Sequence, residues 1–122
     1  MVERAIRLSP RDPELAVWYD QIGVVHLLQS RTDEAMLRLE KARSANPALP
    51  YVYGHLASAY ALKGESERAA AELAEARGLS GDDRYSSIAR LQAVAYFGVA
   101  KIRALYEATY FAGLRKAGMP EE

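Results

Sequence analysis

Residues 19–26 read YDQIGVVH, and residues 53–60 read YGHLASAY. Both stretches set a ring, an aliphatic residue, a small residue and a second ring at the same offsets. Working outward, Tyr19, Ile22, Gly23, His26, Ala35, Leu39, Ala42 and Pro47 become Tyr53, Leu56, Ala57, Tyr60, Ala69, Leu73, Ala76 and Gly81, a constant shift of 34. A fixed period of this length marks stacked helix pairs, each burying its apolar face only against a neighbour. The small residues have a steric purpose. Helix axes approach to about 8–10 Å only where the crossing side chains are small. Gly23 and Ala57 in the first helices, with Ala35 and Ala69 in the second, meet that need, and Leu39 and Leu73 fill the gap. The predicted fold is all-α, a right-handed antiparallel helix-pair solenoid with C-terminal capping helices.

The rest of the chain divides around this pair of matched units. Residues 2–10 are expected to be the remnant of a preceding repeat, ending at the stiff break Ser9-Pro10-Arg11-Asp12-Pro13. Repeat 1 spans 16–49 and repeat 2 spans 50–83. Val17, Trp18, Ile22, Val25 and Leu28 recur at helical spacing in the first helix, and Thr32 is the expected cap of the second. After Leu79-Ser-Gly-Asp-Asp83 the code lapses: the period would place Ser87, Arg90 and Leu91 where an aromatic, an apolar and a small residue belong. Residues 84–118 are therefore read as two capping helices joined near Phe97-Gly98, with Asp82-Asp83 capping the first. On the last helix Ile102, Leu105, Tyr106, Thr109, Tyr110, Gly113 and Ala117 share one face. Gly118, Met119 and Pro120 then form a left-handed stop with a hydrophobic fold-back. The whole is a single domain over 1–122.

Composition narrows the function classes. The chain has 122 residues, half of them apolar, with zero net charge and no cysteine. A polyanion binder needs a concentrated basic excess, so nucleic acid is not an expected partner. Without cysteine, disulfides, thiolate metal sites and cysteine nucleophiles are excluded. The longest apolar run, Ala93 to Ala100, falls far short of the roughly 20 residues that span a bilayer. The first residues lack the apolar core of a secretory signal. A soluble, cytoplasmic protein with no membrane partner is the expectation.

The matched residues resemble the tetratricopeptide repeat family. That family favours an aromatic, a Leu, a small residue and a Tyr in its first helix, then Ala, a bulky residue and Ala in its second, with Pro at the closing turn. Residues 16 to 81 match two repeats, with His26 where Tyr is usual and Gly81 where Pro is usual. Ala5 with Pro10 resembles the tail of an earlier repeat, separated by the insertion Arg11 to Pro13. A narrower resemblance joins Leu8-Ser-Pro-Arg-Asp-Pro13 and Gly113-Leu-Arg-Lys-Ala-Gly-Met-Pro-Glu121 to C-terminal repeat regions of certain bacterial proteins. Those proteins carry a class III nucleotide (adenylate or guanylate) cyclase domain or a winged-helix regulator domain upstream. The resemblance implies a non-catalytic protein-interaction module, the regulatory or assembly tail of a larger signalling protein. The alternative is a structural dimerisation or capping segment with no external ligand.

No catalytic, cofactor or metal site is expected. A metal needs several convergent ligands, whereas His26 and His55 stand in different repeats. His26 reads as a core histidine; His55 is either solvent-exposed or a ligand contact. Asp33-Glu34, Glu65 and Glu67 sit at helix starts, where they complement the macrodipole. The family places ligands in the concave groove lined by first helices. Here that implies Val17, Asp20, Gln21, Val24 and Leu27 in one repeat, and Tyr51, Gly54, His55, Ser58 and Leu62 in the next. The carboxylate clamp of chaperone-binding members is not matched, because Asp20, Val24 and His55 stand at clamp positions. The groove either receives a protein or peptide partner or holds the chain's own last helices. Phe111 is expected to project from the side opposite Ile102 and Tyr106, flanked by Leu114. That pair is a candidate homodimer contact, unless Phe111 is an incidental exposed aromatic.

Overall fold

The computed structural model describes residues 14–94 and 100–122. Among them every regular element is helical: α1 Leu15–Leu28, α2 Thr32–Ala45, α3 Pro50–Leu62, α4 Ser66–Leu79, α5 Ile88–Val94 and α6 Ala100–Tyr106. α6 runs through a π-helical turn, Glu107–Phe111, into α7, Ala112–Lys116. The expected remnant at 2–10, the insertion at 11–13 and the junction near Phe97-Gly98 lie outside the described residues.

α1 and α2 pack antiparallel. Lys41 lies over the Tyr19 ring, Leu39 fills the space beside Gly23, and Glu34 reaches His26, so the contacts close inward towards the turn. Ala16, Gly23 and Leu27 on α1 meet Ala35, Leu39 and Ala42 on α2, all buried. α3 and α4 repeat the arrangement with Leu56, Ala57, Tyr60, Ala69, Leu73 and Ala76, again all buried. The small-and-large alternation along the chain thus becomes one contiguous core.

The turns within the two pairs are built alike. Gly64 has φ +82°, and Gly64 N–H and Glu65 N–H donate to the carbonyls of Ala61 and Tyr60. That is the left-handed helix stop in which two orphan carbonyls are satisfied. Ser30 fills the same role after α1 with φ 62°, with donors Ser30 and Arg31 on Leu27 and His26. α2 begins at Thr32 with no side-chain cap bond. Thr32 is therefore the first helical residue and not the cap expected of it.

α2 then stacks on α3. Tyr60, fully buried, donates its hydroxyl to Glu40 at 2.6 Å, and Arg68 lies over its ring while bonding both groups. Lys63 pairs with Asp33, and Arg43 pairs with the buried Glu72 of α4. Beyond α4, residues 84–87 are a turn and the helix begins only at Ile88. Asp82 is spent on that turn, accepting from Arg84, while Ser87 accepts from the Arg90 N–H as the actual cap. The next two free N–H groups, of Ile88 and Ala89, donate to the Pro120 and Glu121 carbonyls of the chain's last residues.

The C-terminal segment departs from the expected face. Ile102 and Leu105 are 38% and 42% exposed, and α6 has no buried residue. Tyr110, Phe111 and Leu114 are buried. The π turn is the reason. Its i→i+5 bonding takes in more residues per turn than an α-helix, so three consecutive residues, Thr109, Tyr110 and Phe111, reach the buried side. Face assignment by 3.6 residues per turn fails across it. Phe111 and Leu114 are consequently core residues of this chain, at 3% and 0% exposure, and not a dimer contact. The expected stop stands at Gly118, φ +108°, with Met119 N–H donating to Leu114 and its side chain buried.

Candidate functional site

The first helices α1 and α3 line an inner face, and the C-terminal segment lies on it. Ser58, fully buried, donates its hydroxyl to the Tyr110 carbonyl at 2.8 Å. The π turn frees main-chain carbonyls from the ordinary ladder, and this side chain satisfies one of them. Thr109 loosens the ladder further by donating its hydroxyl to Leu105 O at 2.7 Å, a back-bond that bends helices. Gly113 then rests directly on Ser58, leaving no room for a Cβ. Gly54 performs the same service beside it, since a Cβ there would lie 2.9 Å from both the Tyr110 hydroxyl and the Tyr85 ring.

At the centre, His55 Nδ1 lies 2.7 Å from Asp20 Oδ1, tying α3 to α1. An ionised carboxylate can only accept, so the proton sits on Nδ1. Both groups are largely withdrawn from solvent, and rings close around them. Tyr110 lies 5.0 Å and Tyr51 6.1 Å from the imidazole, with Tyr106 against Tyr110. Burial pushes the Tyr85 phenol up to about 12 and the Tyr110 phenol well above the ordinary value. Burial, then the Asp20 charge, raises Tyr51 and Tyr106 as well.

Each expected groove residue has a definite place. Asp20, His55 and Ser58 come together, but they bind the chain itself. Leu27 is not available to a groove ligand because it is 1% exposed inside the core. Val17, Val24, Tyr51 and Leu62 are half-buried, and Gln21 is exposed. His26 is half-buried between the helices, with Glu34 at 3.2 Å. Sequence reading missed Tyr85. It stands 34 residues after the groove residue Tyr51, a match that the lapse of the code around it obscures. The chemistry of the cluster is that of a lock. The Ser58 hydroxyl, one turn along α3 from His55, is engaged by the Tyr110 carbonyl, and among the described residues no group of three or more His, Asp or Glu could hold a metal. No described helix is long and apolar enough to cross a membrane.

Two expectations test this geometry. Asp20→Ala leaves a buried Nδ1–H without its acceptor and should cost about 1–3 kcal/mol, read by urea unfolding, with Asp20→Asn milder because an amide oxygen still accepts. A loss below the measurement error would contradict the buried pair. The second concerns alkali. Above the ordinary tyrosine value of 10.0 the unfolded chain releases protons that Tyr85 and Tyr110 retain. Stability contributed by these groups is complete below pH 10 and falls as pH climbs towards 12. Each should lower it by about 1.4 kcal/mol per pH unit. Tyr110→Phe should make the decline shallower by that one phenol's share, the raised phenols of Tyr51, Tyr60 and Tyr106 also contributing, and a flat profile would refute the burial of both phenols.

No family model, characterised protein or solved structure matches this chain.

Proposed function

We propose that this chain is a non-catalytic protein–protein interaction module of the tetratricopeptide-repeat type, acting in the cytoplasm as a regulatory or assembly tail of a larger bacterial signalling protein. The observation that carries the reading is the inner face of α1 and α3. It accepts a helix there, burying Tyr110, Phe111 and Leu114 and satisfying a carbonyl through Ser58. A surface that binds one helix by shape and apolar contact is suited to bind helical or extended segments of other proteins. The paired small residues at a shift of 34 support the solenoid reading, since they stand at equivalent buried places in both pairs.

The same observation favours one alternative, a structural capping segment whose groove has no external ligand. Immobilising the chain, identifying what it retains and measuring that purified protein by calorimetry separates the two. Saturable one-to-one binding supports the module. Self-association alone, detected by sedimentation of the same preparation, supports the capping segment.

A further inference from the structure

The two helix pairs differ in what covers them. On α3, Val52, Leu56, Ala59 and Lys63 form one stripe, and Lys63 reaches Asp33 of α2, so this stripe is the side on which α2 lies. Val52, Leu56 and Ala59 are 0% exposed. Shifted by 34, the same stripe on α1 is Trp18, Ile22, Val25 and Gln29. Trp18 and Ile22 are only half-buried, and Val25 is 52% exposed. Isolated exposed apolar residues are ordinary, but here they continue a stripe whose twin is a helix-docking surface in the same molecule.

The rim of that stripe names the kind of helix. In the second pair Tyr60 and Arg68 hold Glu40 of α2, and Glu72 holds Arg43. The shifted positions in the first pair are His26, Glu34 and Arg38. The signs are inverted: Glu34 stands for Arg68, and Arg38 for Glu72. Glu34 is 60% exposed, and Arg38 makes no ion pair among the described residues. His26 Nδ1 lies 3.2 Å from Glu34 yet is buried without a hydrogen bond, an incomplete corner.

We infer that this open side of α1 and α2 is an interaction surface for an amphipathic helix of another protein, bearing small or aliphatic residues along one stripe. A Lys or Arg of that helix faces Glu34 and His26, and an Asp or Glu three residues later faces Arg38. This is the charge pattern of α2 with Glu40 and Arg43 reversed. The inference rests on the interaction-module reading and adds to it a location away from the inner groove and a charge code for the partner.

Trp18, the sole tryptophan of the chain, lies in the stripe and reports its coverage. The probes are two synthetic helices stapled on their outward face, one with the 14-residue α2 sequence and one carrying Glu40→Lys with Arg43→Glu. Added to the full chain, the reversed helix should shift Trp18 emission to the blue and bind about tenfold more tightly than the unmodified one. Glu34→Arg with Arg38→Glu in the chain should invert that order; Glu34 is exposed and Arg38 half-buried, and an unchanged helical circular dichroism spectrum and urea midpoint serve as the folding control. Equal affinities, or no change in Trp18, overturn the inference. So does emission that is already blue and turns red when residues 1–13 are removed, or a mass that rises with concentration in the absence of peptide; these assign the surface to the chain itself. A partner that binds without moving Trp18 also overturns it while leaving the interaction-module reading intact.

Discussion

Gly113→Ala should lower stability by about 3 kcal/mol, although the same change on an exposed helix adds about 1 kcal/mol through propensity. The added Cβ would overlap the Ser58 hydroxyl and lie 2.5 Å from the Ser58 carbonyl oxygen and 2.9 Å from its carbon. A hydroxyl can rotate away, but backbone in the middle of α3 cannot. The C-terminal helix must therefore lift, stretching the Ser58–Tyr110 bond and uncovering Tyr110, Phe111 and Leu114. Thermal unfolding should show a fall in midpoint of roughly 10 °C for a domain of this size. Protease cleavage should first appear near α6 and α7. A variant as stable as the parent would disprove the close approach of the two helices.

The second large effect is expected at Leu39. It is fully buried, and its Cγ occupies the place a Gly23 side chain would take, 2.6 Å from an added Cβ. Leu39→Ala removes those atoms and leaves a cavity, costing about 3–4 kcal/mol. Gly23→Ala alone costs less, about 1–3 kcal/mol, because the Leu39 tip can turn aside. Combined, the new methyl enters the space vacated by Leu39, so the double variant should be more stable than the sum of the singles predicts. Leu37, 53% exposed on the same helix, serves as control, and Leu37→Ala should stay within about 0.5 kcal/mol. Strict additivity of the Gly23 and Leu39 changes in urea unfolding would count against their packing as a pair.

These two sites show where the amino-acid pattern speaks clearly and where it does not. Leu39 and Gly23 lie within regular α-helices, so spacing alone predicts that they face each other. Gly23, Ala35, Leu39 and Ala42 and their counterparts at a shift of 34, Ala57, Ala69, Leu73 and Ala76, are buried in both pairs for the same reason. Across residues 107–111 that logic breaks, because a π turn has no periodicity signal of its own and depends on the hydroxyls of Ser58 and Thr109 being in reach. Phe111 and Leu114 were expected on the outside and lie inside, while Ile102 and Leu105 were expected inside and lie exposed. The caps failed for a related reason. Thr32 and Asp82-Asp83 have the chemistry of helix caps, but the turn before α2 closes through backbone bonds and Asp82 is committed to Arg84. Of the inner face, Asp20, His55 and Ser58 were legible as groove-lining residues. The C-terminal segment that arrives there is one of the two occupants expected of the groove, and spacing does not choose between them.

That arrival orders events in time. Ser58 and Tyr110 are separated by 52 residues, whereas each helix pair closes through partners a short loop apart. Loop closure favours the local contacts first, so the two pairs should be assembled before the tyrosine-bearing helix settles. On a ribosome adding about 5–20 residues per second, Ser58 precedes Tyr110 by several seconds. During that interval the newborn chain displays the inner face of α1 and α3 uncovered, and any chaperone that meets it does so before its natural lid has been synthesised.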